Sequence, residues 1–336
     1  MNKSSSYRFD HLERLSDHRG LFEHADRTVR RLEHGYCTDD NARLLVVALR
    51  EPDDGVPHRL GRLALAFVLD AQDGTGRFRN RMISSGRWTD RGETKDWWGR
   101  AVWALGSAAA DHSDPVVRQQ AMGAFRLAVS CRSRWPRAMA FAALGAAEVV
   151  ASDPSDALGR ALLVDALEAI PAVPAGPWAW PEPRLTYANA TLAEAVIAAG
   201  AALGRQGDVE RGLAMLGWLL ELETRSGHLS VTGVGGRSAR YSGPQFDQQP
   251  IEVSALADAC WRAYAITGDS RWAEGVSAAA AWFAGKNDVG LVMHDACSGG
   301  GFDGLQHASV NENQGAESTL AFISTMQRAR SFVTTA

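Results

Sequence analysis

The stretch HGYCTDDNARLL (34–45) sets two carboxylates, Asp39 and Asp40, side by side where a helical apolar pattern begins. Two readings compete. Thr38 or Asp39 is a good N-cap, because its oxygen accepts from a first-turn N–H, and the helix dipole favours a second acid there. The same pair is also the raw material of acid–base chemistry if other carboxylates converge on it.

Four more polar openings occur along the chain. One carries Asp96, Trp97 and Trp98. The loop PWAWPEPRLTYANA (177–190) carries Trp178, Trp180, Glu182, Arg184, Tyr187 and Asn189. PQFDQQPIEVS (244–254) carries Phe246, Asp247, Gln248, Gln249 and Glu252, and the segment 299–318 carries Asp303, His307, Asn311, Glu312, Asn313, Gln314 and Glu317. Asn41 follows the Asp pair. This is the inventory of a saccharide site. Aromatic faces stack on sugar rings, while acids, amides and Arg bind hydroxyls. Glycosidic cleavage needs one protonated and one ionised carboxyl, and crowded carboxylates supply the protonated member.

Each residue also has a structural reading. Asp96 and Asp247 suit helix caps, with Pro250 at N1 and Glu252 in the first turn. Trp103 reads as core, Cys37 as a small buried thiol, and His34, His294 and His307 as ordinary hydrogen-bonded histidines. Convergence of several openings favours the functional reading. The acid–base pair is expected from one of Asp39/Asp40 and one of Asp247/Glu252.

The elements that would bring these residues together are helical. Apolar spacing predicts helices over 39–51, 57–73, 99–111, 114–130, 136–151, 155–170, 188–204, 207–224, 249–267, 270–286 and 314–331. Segment 8–26 holds at most a short helix, because Gly20 interrupts it, and 227–231 and 290–295 read as short hairpin strands. The helices pair, with short turns inside pairs and long aromatic loops (74–98, 171–187, 225–248, 287–313) between them. The first helices of the pairs begin near 39, 96, 136, 189, 250 and 314. Six such hairpins predict a single all-α (α/α)6 toroid spanning 1–336, with disordered ends at 1–9 and 332–336. Its small-residue inner helices would point their polar ends at one mouth. The rival is an open solenoid, whose repeat period is usually tighter.

The 336 residues carry a net charge of −4, with Arg scattered and Lys only at 3, 95 and 286, so neither nucleic acid nor a membrane surface is indicated as partner. Four dispersed cysteines and nine histidines without metal-ligand spacing predict no metal, no cofactor and no disulfide framework. No leader-like or spanning apolar run occurs, and cytoplasmic location is the expectation.

The strings HGYCTDDNAR, DWWGRAVWALG, WAWPEPRLTYANATL, FDQQPIEVSALADAC and VNENQGAESTLAF resemble a group of bacterial (α/α)-toroid carbohydrate-active domains. Members of that group occur alone or beside glycosyltransferase and mannoside-phosphorylase-like domains. The Asp-Asp pair is also similar to that of endo-α-mannanases. The resemblance implies polar site positions at Asp39, Asp40, Asn41, Asp96, Arg100, Glu182, Asn189, Asp247, Gln248, Gln249, Glu252, Asp303, Asn311, Asn313 and Glu317. The chain departs from the group at Ala188 and Pro183, where the group carries acids. It implies a glycoside hydrolase acting on an oligosaccharide such as a mannoside, with an inverting course. The alternatives are a saccharide-binding domain serving a glycosyltransferase partner, and a toroid lyase or epimerase.

Overall fold

The computed structural model describes residues 8–333 except 53 and 242. Its helices are α1 (Asp10–Leu15), α2 (Thr38–Leu49), α3 (Gly55–Ala71), α4 (Asp96–Asp111), α5 (Pro115–Ala128) and α6 (Pro136–Ser152). They continue as α7 (Ala157–Ala169), α8 (Ala190–Leu203), α9 (Gln206–Leu222), α10 (Pro250–Thr267), α11 (Ser270–Phe283) and α12 (Ala316–Val333). The even-numbered helices form a closed inner ring: each packs on the next, and α12 packs back on α2. Closure rules out the open solenoid.

Composition explains which helices go inside. In α8, ATLAEAVIAAGAAL, every residue from Ala190 to Gly200 is buried. In α5, PVVRQQAMGAFRLA, only Ala121, Phe125 and Ala128 are buried, one stripe of an amphipathic outer helix. Ring closure demands small residues where inner helices touch. A Cβ on Gly106 would lie 2.4 Å from the Gly145 carbonyl oxygen, and one on Gly145 would lie 2.4 Å from that of Val102. These glycines let α4 and α6 approach at backbone distance.

The sixth hairpin lacks a full outer helix. The six-residue α1 fills that place, packing on α12 and α3. His11 of α1 hydrogen-bonds the Gln314 carbonyl at 2.8 Å, and Arg14 donates to the Ser298 carbonyl at 2.7 Å. The two ends of the chain thus lock together. The expected disordered ends fall partly outside the described residues (1–7 and 334–336). Within them, Phe9 is buried in the core rather than loose.

Eight two-residue strands make four hairpin-like pairs: β1 (Ala25–Asp26) with β2 (Val29–Arg30), β3 (Tyr36–Cys37) with β4 (Arg81–Met82), β5 (Thr224–Arg225) with β6 (His228–Leu229), and β7 (Gly304–Leu305) with β8 (Val310–Asn311). The β3–β4 pair ties the loop before α4 to the opening of α2. The expected strand at 290–295 is absent; only a single bridge, His294 to Gly301, forms there. Among the described residues no helix is long and apolar enough to cross a membrane.

Candidate active site

The N-cap of α2 is Cys37, not Thr38 or Asp39: its Sγ accepts from the Asp40 amide. Asp39 and Asp40 therefore occupy the first turn, with side chains available for other work. They point differently. Asp40 is 2% exposed; it accepts from the Cys37 thiol at 3.1 Å and pairs with Arg43. Burial pushes its carboxyl up to about 6, with Arg43 opposing the rise. Arg43 bridges onward to Glu317 at 2.6 Å. Asp39 keeps 22% of its side chain exposed and pairs with Arg100 at 2.8 Å.

Two cavities open side by side at the mouth formed by the inner-helix N-termini. The first, about 300 Å³, collects Asp39, Asp40, Asp247, Gln249, Asp303, Asn311 and Glu317, with Glu23, His24, Cys37, Arg43 and Ser318. The second, about 510 Å³, is lined by Asp39, Asp96, Trp97, Trp135, Arg137, Glu182 and Tyr187, with Asn80, Arg81 and Lys95. Asp39 belongs to both.

In the first cavity, Asp247 is half-buried and one of its carboxyl oxygens has no hydrogen-bond partner. Burial raises its pKa. Asp303 accepts from the Gly315 amide at 2.9 Å and from the Ser318 hydroxyl, and burial raises it too. In the second cavity, Arg137 forks onto Glu182 at 2.8 and 3.3 Å and lies over the Tyr187 ring. Trp97 donates to the Phe78 carbonyl and carries the Lys95 ammonium at 5.3 Å from its centroid. Burial raises Asp96.

Other expected site residues serve the scaffold. Asn41 is fully buried and pins the segment before it, accepting from Leu21 N–H and donating to the Leu21 and Cys37 carbonyls. Trp98 and Trp180 are 0% exposed core residues. Trp178 donates to the Glu182 carbonyl and packs edge-on against Trp218. Gln248 is buried, donating to Asp288 at 2.6 Å and accepting from Trp282.

Glu252, 4% exposed, accepts from the Ala188 and Asn189 amides and from Asn189 Nδ2 at 2.9 Å. It anchors the loop before α8 and lines neither cavity. Phe246 and His307 face each other at 5.2 Å. Glu312 pairs at the surface with Arg27, and Asn313 accepts from the Arg27 amide. Arg100 is 2% exposed and lies behind Asp39, inside the ring.

The sequence reading missed Glu23, His24, Arg43, Arg81, Trp135, Arg137 and Ser318. Arg43 was recoverable, being one helical turn from both Asp39 and Asp40. So was Trp135-Pro136-Arg137, a polar–aromatic opening of α6 like the others. Glu23 and His24 sit in the irregular segment before α2, where no periodicity points inward.

No protein-family profile matches the chain, and no curated protein matches it in sequence. Solved structures do match in fold. A sugar epimerase from a ruminal bacterium superposes with a TM-score of 0.71 at 12% identity, covering 96% of this chain and 95% of that one. Cellobiose 2-epimerase from Bacillus thermoamylovorans gives 0.72 at 10%, covering 96% of both. A family 76 α-mannanase from Bacteroides thetaiotaomicron gives 0.65 at 12%, covering 96% and 93%. At such identities the likeness shows the fold: an (α/α)6 toroid.

Proposed function

We propose that the protein is a carbohydrate-active enzyme, and specifically a glycoside hydrolase that cleaves an oligosaccharide at Asp39. The observation that carries this is the position of Asp39, shared by a carboxyl-rich cavity and an aromatic one. A chain laid across both would stack sugar rings on Trp97, Trp135 and Tyr187 on one side. On the other it would offer hydroxyls to Gln249, Asn311, Asp303 and Glu317.

Asp247 is the acid: it lines the carboxyl-rich cavity, and burial favours its protonated form, ready for the glycosidic oxygen. Asp39, held by Arg100, is the base that takes a proton from water as that water attacks the anomeric carbon. Acid and base stand on different segments, the loop before α10 and the first turn of α2; an inverting course needs room between them for the attacking water. Asp40 and Arg43 set the charge around the base. Glu252 positions the loop and does not react.

Four epimerase- and isomerase-named structures among the fold matches favour a second reading, proton transfer at a sugar carbon. His24 in the carboxyl-rich cavity and Asp40 near 6 would serve it. Incubation with α- and β-linked oligosaccharides in D₂O, read by mass spectrometry, separates the readings. Shorter products that vanish in Asp39→Asn and Asp247→Asn support hydrolysis. An intact saccharide that gains one deuterium supports epimerisation and sinks the hydrolase. Retention of saccharide with neither change leaves a binding domain.

A further inference from the structure

Below the mouth, residues of all six inner helices line a third cavity of about 40 Å³. That is room for a monatomic ion or a few waters. Three arginines line it: Arg43, which also pairs with Asp40 and Glu317, Arg50, which also pairs with Asp258, and Arg100. The two lining acids are already committed: Glu194 holds Arg262 at 2.9 Å, and Asp258 holds Arg50 at 2.9 Å and Arg328 at 2.5 Å.

Arg100 is the unfinished group. It is 2% exposed, and its Nε and Nη2 have no hydrogen-bond acceptor. The 2.8 Å approach of Asp39 is an ion pair out of hydrogen-bond alignment. The face of its guanidinium is covered by Phe141 at 3.8 Å. Arg43 Nε also lacks an acceptor. Buried donors on a fixed cation are costly when unsatisfied.

We propose that this axial cavity binds a halide ion, chloride in the cell, held by the guanidinium groups of Arg43, Arg50 and Arg100. Its Val46, Ile251 and Leu320 walls suit a weakly hydrated ion. Burial and the neighbouring Arg43 pull Arg100 down to about 10; burial and Arg328 do the same to Arg50. An anion between them relieves that strain. Because Arg100 also grips Asp39 and Arg43 also grips Asp40, the ion sets how tightly both mouth carboxylates are held. Binding itself does not depend on the hydrolase reading; only an effect on turnover would.

The test is a crystal grown in sodium bromide, read by anomalous scattering, with thermal unfolding in sodium chloride against sodium gluconate at equal ionic strength. The expected result is a bromide peak among the three arginines. A chloride-specific rise of the unfolding midpoint by about 2 °C at ten times Kd should accompany it. Ala255→Val narrows the cavity from a wall that touches no charged group of the mouth, and should abolish the chloride-specific rise. No bromide peak, equal midpoints in the two salts, or a rise that survives in Ala255→Val each overturns the proposal.

Discussion

Glu252→Gln separates a reacting carboxyl from an anchoring one. In the wild type, burial and the nearby Glu223 push Glu252 up to about 8, although three N–H groups favour its anion. The group is therefore neutral in the fold at pH 6 and ionised in the unfolded chain. The sign follows: between pH 4.5 and about 8 the folded state binds one more proton than the unfolded state, so stability falls as pH rises. Over that window the loss is roughly 5 kcal/mol as an upper scale.

The glutamine has no such titration. It keeps one oxygen for Ala188 N–H but turns its NH₂ on the two Asn189 donors, which costs about 1–3 kcal/mol for each buried donor left without an acceptor. At pH 5 the variant should be about 2–6 kcal/mol less stable than wild type, and the gap should narrow toward pH 8. Urea midpoints at pH 5, 6.5 and 8 measure this, with kcat counted per folded molecule. Turnover should survive. If the gap widened with pH, the loop would need the anion and the argument from burial would be wrong. If kcat fell about a thousandfold at an unchanged midpoint, Glu252 would be reacting and Asp247 would lose its role.

Three further outcomes are expected. Asp40 titrates near 6, so kcat/KM should show a limb at that pH which Asp40→Asn removes; a limb unchanged in the variant would assign it elsewhere. Gly145→Ala forces a Cβ against the Val102 carbonyl and the Trp103 Cα at 2.4 and 2.6 Å, so the ring must open between α4 and α6. A loss of more than about 3 kcal/mol, or no soluble protein, is expected. Ala188 holds φ 44° to present its amide to Glu252. Ala188→Gly should raise the unfolding free energy by about 0.5–1 kcal/mol, and a decrease would mean the methyl group packs productively.

The toroid was readable because its layers obey different compositions. Inner helices such as PRAMAFAALGAAEVVA (136–151) and ATLAEAVIAAGAAL tolerate small residues all round, which only mutual close packing requires. Outer helices keep one stripe. Every long helix fell where its spacing put it, within a few residues at the ends. What periodicity could not show was how the ring closes. The sixth outer position is filled by α1, the short helix that segment 8–26 allowed, and it is held by backbone carbonyls at 298 and 314. Helix α4 starts at Asp96, three residues early, and its first-turn Trp97 and Trp98 donate to the distant Phe78 and Ala128 carbonyls.

Site residues were legible by type but not by depth. A helix opening that reads DQQPIE holds Gln249 in the mouth, Gln248 inside the core and Glu252 beneath a neighbouring loop, because successive residues at a helix start diverge by about 100°. The same divergence splits Asp39 from Asp40: one faces the mouth, and the other turns into the wall and meets Arg43. Adjacent acids in sequence thus acquire unequal burial, and burial pushes Asp40 up to about 6. That inequality comes from partners one turn away and from other helices, which no local motif records. The arginines make the point most sharply. Arg43 and Arg50 looked like two of many scattered cations, and only the family resemblance singled out Arg100. Ring closure places all three around one axial space, where Arg100 holds the proposed base Asp39, Arg43 holds Asp40 and Arg50 holds Asp258.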